Sequence, residues 1–285
     1  YLAAEKAWAD YRDAYKPSKD VALQCHYLYS LIKTDEGLAT STYISELWEV
    51  GSSQPTSCDP VFAYWRNSQM LKEDHIWRRF LLSIEKNEVG MASYLIKFLA
   101  PDFIENARLW LKVRKNPSLV TNQKLFSDTP IGREILLSGL HQLIRRAPDV
   151  AQSVWYDLQQ AFTFSERDKR IIQRRLGLSY LREHQVTGLA WLNKLPDEFV
   201  TSDVREWRIL GALREQDWKA TELAIVRLPS LERQQPRWQY WLARAKTELG
   251  DHEKAFSLYS EIAHTRGYYG FLAADKISKA YNFNN

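Results

Sequence analysis

Leu181-Arg182-Glu183-His184, continuing through Gly188 and Ala190 to Leu195-Pro196, is answered by Leu213-Arg214-Glu215-Gln216, continuing through Ala220 and Ala224 to Leu228-Pro229. The leading leucines stand 32 residues apart and the closing prolines 33. A third copy opens at Leu249-Gly250-Asp251 and carries Ala255, Tyr259 and Ile262. Thr34-Asp35-Glu36-Gly37-Leu38-Ala39 and Asn87-Glu88-Val89-Gly90 read as earlier, weaker copies. Apolar residues recur at helix spacing inside and beside these copies. Ala255, Leu258, Tyr259, Ile262 and Ala263 form one stripe, and Trp238, Trp241, Leu242, Ala245 and Leu249 another. The same template predicts a helix between Asn87 and Ala100, with Met91, Tyr94, Leu95, Phe98 and Leu99 on one face.

A repeat of this length, with a small residue just after the turn, is the pattern of tetratricopeptide-like helical hairpins. The small residue lets the second helix come close to the first. The ends carry matching chemistry. Gly250 suits the left-handed position after a helix, Asp251 caps the next one, and Glu253 favours its positive end. Asp128-Thr129-Pro130 reads as a cap followed by proline in the first turn. There is no sustained apolar alternation with β-branched enrichment. Only 11 Gly and 10 Pro stand against 11 Trp and 15 Tyr in 285 residues, which favours helices packed by bulky side chains. The fold expected is all-α, a right-handed superhelical solenoid of tetratricopeptide-like hairpins forming one domain over 1–285. The plainer alternative is an irregular helical array.

Composition removes several function classes. With 45% hydrophobic and 26% charged residues the chain is an ordinary globular protein rather than a disordered one. No stretch approaches ~18 uninterrupted apolar residues, and mean hydropathy is −0.45; no membrane span is expected. The opening Tyr1-Leu2-Ala3-Ala4-Glu5 has neither an initiator Met nor a signal-like apolar run, as at a processing site or an internal edge. A net charge of +4 is too small to imply nucleic acid. The six histidines (His26, His75, His141, His184, His252 and His264) lack metal-ligand spacing, and Cys25 and Cys58 form no C-x-x-C knuckle. Gly132 and Gly139 are isolated and make no phosphate cradle. No cofactor is expected, and no residue is assigned to catalysis, cofactor binding or metal ligation. Arg167, Arg170 and Arg174 fall at i, i+3 and i+7, with Lys169 and Arg175 alongside. Such a stripe is either a solvated helix face or a contact for a polyanion or an acidic patch. The two cysteines are either a staple between neighbouring hairpins or two inert buried thiols; their spacing does not choose.

One block is more specific. Gln24-Cys25-His26-Tyr27-Leu28-Tyr29, Glu46-Leu47-Trp48, Gly51-Ser52-Ser53-Gln54-Pro55 and Cys58-Asp59, with Phe62, Trp65 and Arg66, resemble the superhelical region of soluble lytic transglycosylases. At the far end, Arg237-Trp238-Gln239-Tyr240-Trp241-Leu242-Ala243-Arg244 and Arg266-Gly267-Tyr268-Tyr269-Gly270-Phe271-Leu272-Ala273-Ala274 resemble the hairpins that precede that family's linker and catalytic domains. Residues 100 to 180 are least distinctive. The resemblance implies a Cys25–Cys58 disulfide and a periplasmic murein enzyme. Such enzymes cleave the MurNAc–GlcNAc β-1,4 bond without water and leave a 1,6-anhydromuramoyl end. A single Glu in a Glu-Ser motif acts as the acid, followed later by Gly-Leu-Met-Gln and Ala-Tyr-Asn-Ala-Gly. Here no Glu is followed by Ser, Gly-Leu-Met-Gln is missing, and Ala280-Tyr281-Asn282 is followed by Phe283. The resemblance therefore carries over no catalytic residue.

The expected role is that of an internal, non-catalytic piece of such an enzyme, scaffold and guide for the glycan strand. Its partners would be peptidoglycan strands and the enzyme's own linker and catalytic domains. Most of Trp48, Trp65, Trp77, Trp155, Trp191, Trp207, Trp218 and Trp241 are expected in the core, with one or two left to stack on sugar. A last helix from about Gly267 to Tyr281 presents Tyr268, Tyr269, Phe271 and Leu272 as a docking surface, unless Tyr269 and Phe271 fold back into their own hairpin. The competing expectation is a free-standing helical-repeat adaptor for a protein or peptide.

Overall fold

The computed structural model describes residues 3, 5–34 and 41–283; of the expected weak copy over 34–39, all but Thr34 lies outside the described residues. Among the described residues all regular structure is helical. The helices are α1 (Trp8–Ala14), α2 (Val21–Lys33), α3 (Ser41–Trp48), α4 (Asp59–Asn67), α5 (Glu73–Glu85), α6 (Val89–Leu95) and α7 (Pro101–Lys115), then α8 (Pro130–Arg146), α9 (Pro148–Ala161), α10 (Glu166–Arg182) and α11 (Thr187–Asn193). There follow α12 (Ser202–Arg214), α13 (Trp218–Val226), α14 (Ser230–Arg233), α15 (Pro236–Glu248), α16 (His252–Ile262) and α17 (Tyr268–Lys276). The chain divides into two compact units, Tyr1–Leu119 and Val120–Asn285.

In the second unit the repeats are physical. Helices pair as α10 with α11, α12 with α13, and α15 with α16. His184, Gln216 and Gly250 all adopt the left-handed conformation, with φ of 63°, 55° and 83°. The next residue in each case closes the turn on the carbonyl five positions back: Gln185 N donates to Tyr180 O, Asp217 N to Ala212 O and Asp251 N to Lys246 O, at 2.8, 3.0 and 2.9 Å. This is the Schellman closure, which satisfies carbonyls that a helix end would leave unpaired. Asp217 and Asp251 then cap the following helices at Ala220 N and Lys254 N. At the N-terminal edge, Thr129 accepts from Gly132 N at 3.1 Å and Pro130 opens α8.

Close approach of the paired helices needs glycine at one hairpin in particular. A Cβ on Gly188 would lie 2.5 Å from Gly177 O, and one on Gly177 would lie 2.6 Å from Leu192 Cδ2. The core is built in series from these pairs. Leu178, Leu181, Leu192 and Leu195 close on Val204 of the next hairpin. Ile209, Ile225 and Leu228 close on Trp238 and Leu242. Tyr240, Ala243, Ala255, Tyr259 and Ile262 close on Ala273 and Ala274. Each hairpin thus buries its apolar face against the first helix of its successor, which is how a helical repeat acquires a core that it lacks alone.

Among the described residues the first unit repeats this turn once. Asn87 is left-handed at φ 65° and Glu88 N donates to Ser83 O at 2.8 Å, joining α5 to α6. Its core adds an aromatic cluster to aliphatic side chains such as Ile44, Val61, Ile76 and Leu95: Trp48 meets Phe62 and Trp65 edge-on at 5.1 and 5.9 Å, and Trp77 stacks on Phe80 at 5.1 Å. The structure shortens two expected helices. The one beginning near Asn87 gives way at Ile96–Phe98 to a single 3₁₀ turn, because Pro101 starts α7 and fixes the chain before it. Its Tyr94 is 45% exposed instead of facing the core. The last helix stops at Lys276 rather than near Tyr281, since Ser278 turns left-handed and Lys279 N closes on Ala274 O at 3.0 Å. Of the eight tryptophans weighed for the core, Trp48, Trp65 and Trp155 are buried; Trp77, Trp191, Trp207, Trp218 and Trp241 are half-buried.

Candidate functional site

Helix α9 buries Ala151, Val154, Trp155 and Leu158, so its opposite stripe, Asp149, Gln152, Tyr156 and Gln159, is left to line a surface groove. That groove, about 480 Å³, is completed by Ser153, Trp155 and Trp191. Tyr156 is 67% exposed, which is unusual for so large a ring and leaves its face free. Trp191 also borders a second depression of about 280 Å³, lined by Arg170, Gln173, Ala190 and Lys194. The indole thus stands between two hollows, with amides on either side.

The groove is held by hydrogen bonds from the surrounding helices. Gln173 Nε2 donates to Trp191 O at 2.8 Å, fixing α11 on α10 at the indole. Tyr180 OH donates to Gln152 Oε1. Burial, and then the hydrogen bond and charge of Asp149, push the Tyr180 phenol up to about 12, so it stays a neutral donor. Gln159 Nε2 donates back to Trp155 O at 3.3 Å. An open aromatic face flanked by fixed amides and a carboxylate suits a polyhydroxylated ligand: the ring packs on apolar C–H faces, and the polar groups take hydroxyls. Sequence reasoning weighed Trp191 and missed Tyr156 and the glutamines. The available signal was an aromatic in the polar stripe of α9, with Gln152 four residues before Tyr156 and Gln159 three after.

The expected arginine stripe does not act as one surface. Arg167 is exposed. Arg170 pairs with Glu166 and donates to Gln173 Oε1 at 2.9 Å. Arg174 turns toward another hollow, of about 210 Å³, with Arg145, Arg175, Arg182 and His141. The expected docking residues also separate. Tyr268 is 70% exposed. Tyr269 and Leu272 pack into the cluster of their own hairpin, and Phe271 meets Tyr281 and Phe283 at 5.1 and 5.6 Å. The reason is the left-handed turn at Ser278, which returns the chain end over α17.

Cys25 and Cys58 are bonded to each other, with Cα atoms 4.9 Å apart and both residues fully buried. The bridge ties α2 to the 3₁₀ turn that leads into α4. Beside the Gly51–Pro55 segment lies Arg79, 3% exposed, its guanidinium 4.4 Å from the Trp48 ring and donating to Ser52 O at 3.3 Å. Burial with no carboxylate partner lowers it to about 10. Among the described residues no group of three or more His, Cys, Asp or Glu is placed to hold a metal ion, and no helix is long and apolar enough to cross a membrane.

No family model matches the chain. Soluble lytic murein transglycosylase of Escherichia coli strain K12 is 24% identical over 275 residues, 94% of this chain and 42% of that protein. The solved structure of an inactive mutant of lytic transglycosylase Slt from Pseudomonas aeruginosa superposes with a TM-score of 0.82 at 28% identity, over 100% of this chain and 47% of that one. That of the 70-kDa soluble lytic transglycosylase from Escherichia coli gives 0.75 at 22% identity, over 99% and 46%. The chain therefore spans less than half the length of these relatives. Along nearly all of its own length it is similar to soluble lytic murein transglycosylases, in sequence and in its all-α hairpin fold.

Proposed function

We propose that residues 1–285 form one functional region, the helical scaffold of a periplasmic soluble lytic transglycosylase, and that the Tyr156–Trp191 groove guides the glycan strand of peptidoglycan. The observation that carries this reading is the exposed aromatic–amide groove on a chain similar to murein enzymes over 94% of its length. Bond cleavage belongs to a general acid for which this sequence offers no match: no Glu is followed by Ser, and Gly-Leu-Met-Gln does not occur. The enzyme's own linker and catalytic domains are the natural protein partners in this reading, with Tyr268 the member of the expected docking set that is open to them.

The test is binding of soluble, uncrosslinked glycan strands, read by tryptophan fluorescence and by co-sedimentation with sacculi. Tyr156→Ala and Trp191→Ala should each weaken binding by roughly 2- to 12-fold, the worth of about 0.5–1.5 kcal/mol for an aromatic stacking contact. Purified sacculi incubated with the chain should release no anhydromuropeptides. Unchanged glycan affinity in both variants would remove the groove from the substrate path. Release of anhydromuropeptides would mean that an acid resides in this chain.

A further inference from the structure

The hollow beside Arg174 holds a charge pattern found nowhere in the glycan groove. Arg145 comes from α8, and Arg174, Arg175 and Arg182 from one side of α10; His141 and Asp203 complete the polar lining. Several other arginines of this unit are tied down. Arg205 pairs with Glu232, Arg237 with Glu206, and Arg208 and Arg214 donate to the carbonyls of Leu192 and Leu181. Among the described residues the side chains of the hollow's four arginines make no ion pair and donate no hydrogen bond. The single carboxylate there, Asp203, is engaged at the start of its own helix by Thr201 Oγ1 and by Val204 N.

Four like charges around one hollow repel, and the protein does not neutralise them. Arg175 is exposed over much of its length, yet its charged end is drawn below the usual arginine range by loss of solvent and then by Arg174 and Arg145. His141 Nε2 is buried and lacks a partner. The walls are rigid: Ser179 Oγ donates to Ile144 O at 2.8 Å, a buried bond that locks α10 to α8 between the arginines. Planar guanidinium forks on a fixed frame are matched by the oxygens of a carboxylate or phosphate, which they hold through paired, charge-assisted hydrogen bonds.

We propose that the α8–α10 hollow is a binding site for a compact oxyanionic group, a carboxylate or a phosphate, held by Arg145, Arg174, Arg175 and Arg182. The site is separate from the glycan groove and does not depend on the function assigned to it. Of the stripe read from the i, i+3, i+7 spacing, Arg174 lines the hollow, together with the off-stripe Arg175 and Arg182, while Arg167 and Arg170 do not.

Calorimetric titration of the chain with citrate and with inorganic phosphate, at one fixed ionic strength, tests the proposal and separates the two sources. Saturable one-site binding of either anion is expected. Arg175→Gln/Arg182→Gln should weaken it at least tenfold while leaving the circular dichroism and melting temperature unchanged or the latter raised, because these side chains hold nothing else in place. Arg174→Gln provides a second reading should the double variant fold poorly. Arg146→Gln, an exposed arginine of α8 outside the lining, should leave affinity within twofold. The proposal is overturned if neither anion saturates, if the cleft variants bind as the parent does, or if Arg146→Gln weakens binding as much as they do.

Discussion

The two units solve the same problem, keeping short helices together, by different means. In 120–285 a turn recurs at His184, Gln216 and Gly250, each closed by the same backbone hydrogen bond, and each hairpin lends its successor an apolar face. Among the described residues of 1–119 the turn is seen once, at Asn87, and the remainder is held by a covalent bridge, an aromatic cluster and a buried arginine over Trp48. Regular repetition distributes stability along the chain. A bridge concentrates it, and its loss should be felt locally.

Removing the bridge is the largest way to break that comparison. The loop closed by Cys25 and Cys58 spans 33 residues, and the chain-entropy account assigns such a loop about 3.5–4 kcal/mol. In a Cys25→Ala/Cys58→Ala variant, hydrogen exchange followed by mass spectrometry should show α2 and α4 losing protection while α10–α16 keep theirs. Equal loosening of α10–α16 would mean that the repeats depend on the bridge. Alkylation without reductant should label neither cysteine of the native chain.

Acidification attacks the other unit. Burial, then the charges of Arg175 and Arg145, lower His141 to about 4; Asp168 opposes them and Arg174 adds to the lowering. The unfolded chain, with histidine near its ordinary 6.5, binds the proton first. The stability that neutral His141 contributes is therefore complete above pH 6.5 and is lost as pH falls from there toward 4, about 3 kcal/mol in all. Unfolding in urea at pH 7 and pH 4.5 should show a smaller loss in His141→Gln than in the parent. An identical loss in both would take His141 out of the account.

Glycines sharpen the contrast at smaller cost. On Gly188 a Cβ would meet the backbone at Gly177 O, whereas on Gly90 it would meet nothing within 4 Å. Gly188→Ala should thus destabilise by about 1–3 kcal/mol through overpacking. Gly90→Ala, in the matching hairpin of the first unit, should stabilise by about 0.4–1 kcal/mol by restricting the unfolded chain. Melting curves that move the two variants in the same direction would contradict the close approach at Gly188.

How much of this could be read in the sequence depends on the length scale of the cause. The hairpins and their turns were legible because Leu181 to Leu195 and Leu213 to Leu228 carry local, repeated signals of capping and helix packing. The Tyr156–Trp191 groove was not, because Tyr156 joins Trp191 only through the pairing of helices that lie far apart in sequence. For the arginine stripe, a helical spacing gives the face of Arg167, Arg170 and Arg174 and the pairing of Arg170 with Glu166, but not which neighbouring helix meets it. Arg174 finds Arg145 and Arg182, and Arg170 finds Glu166. The end of α17 was overextended because a serine at φ 55° carries no sequence mark of the left-handed turn that glycine would.

That last point gives the finest test. The hairpin turns at His184, Gln216 and Gly250 share one conformation, yet only Gly250 bears no Cβ to strain against it. If the turns are physically equivalent, the two strained members should gain from glycine and the third should lose from alanine. A side chain in this region costs about 1 kcal/mol or more, and part of the gain from its removal is spent on the freer unfolded chain. His184→Gly and Gln216→Gly should therefore each stabilise by only about 0.5 kcal/mol, while Gly250→Ala should destabilise by about 1 kcal/mol. His184 and Gln216 are both exposed, so neither substitution removes a packed side chain. Urea midpoints for the three variants, compared at constant m-value, decide it. Opposite signs for His184→Gly and Gln216→Gly would show that the turns only look alike, and that the repeat is held by its apolar faces rather than by its backbone.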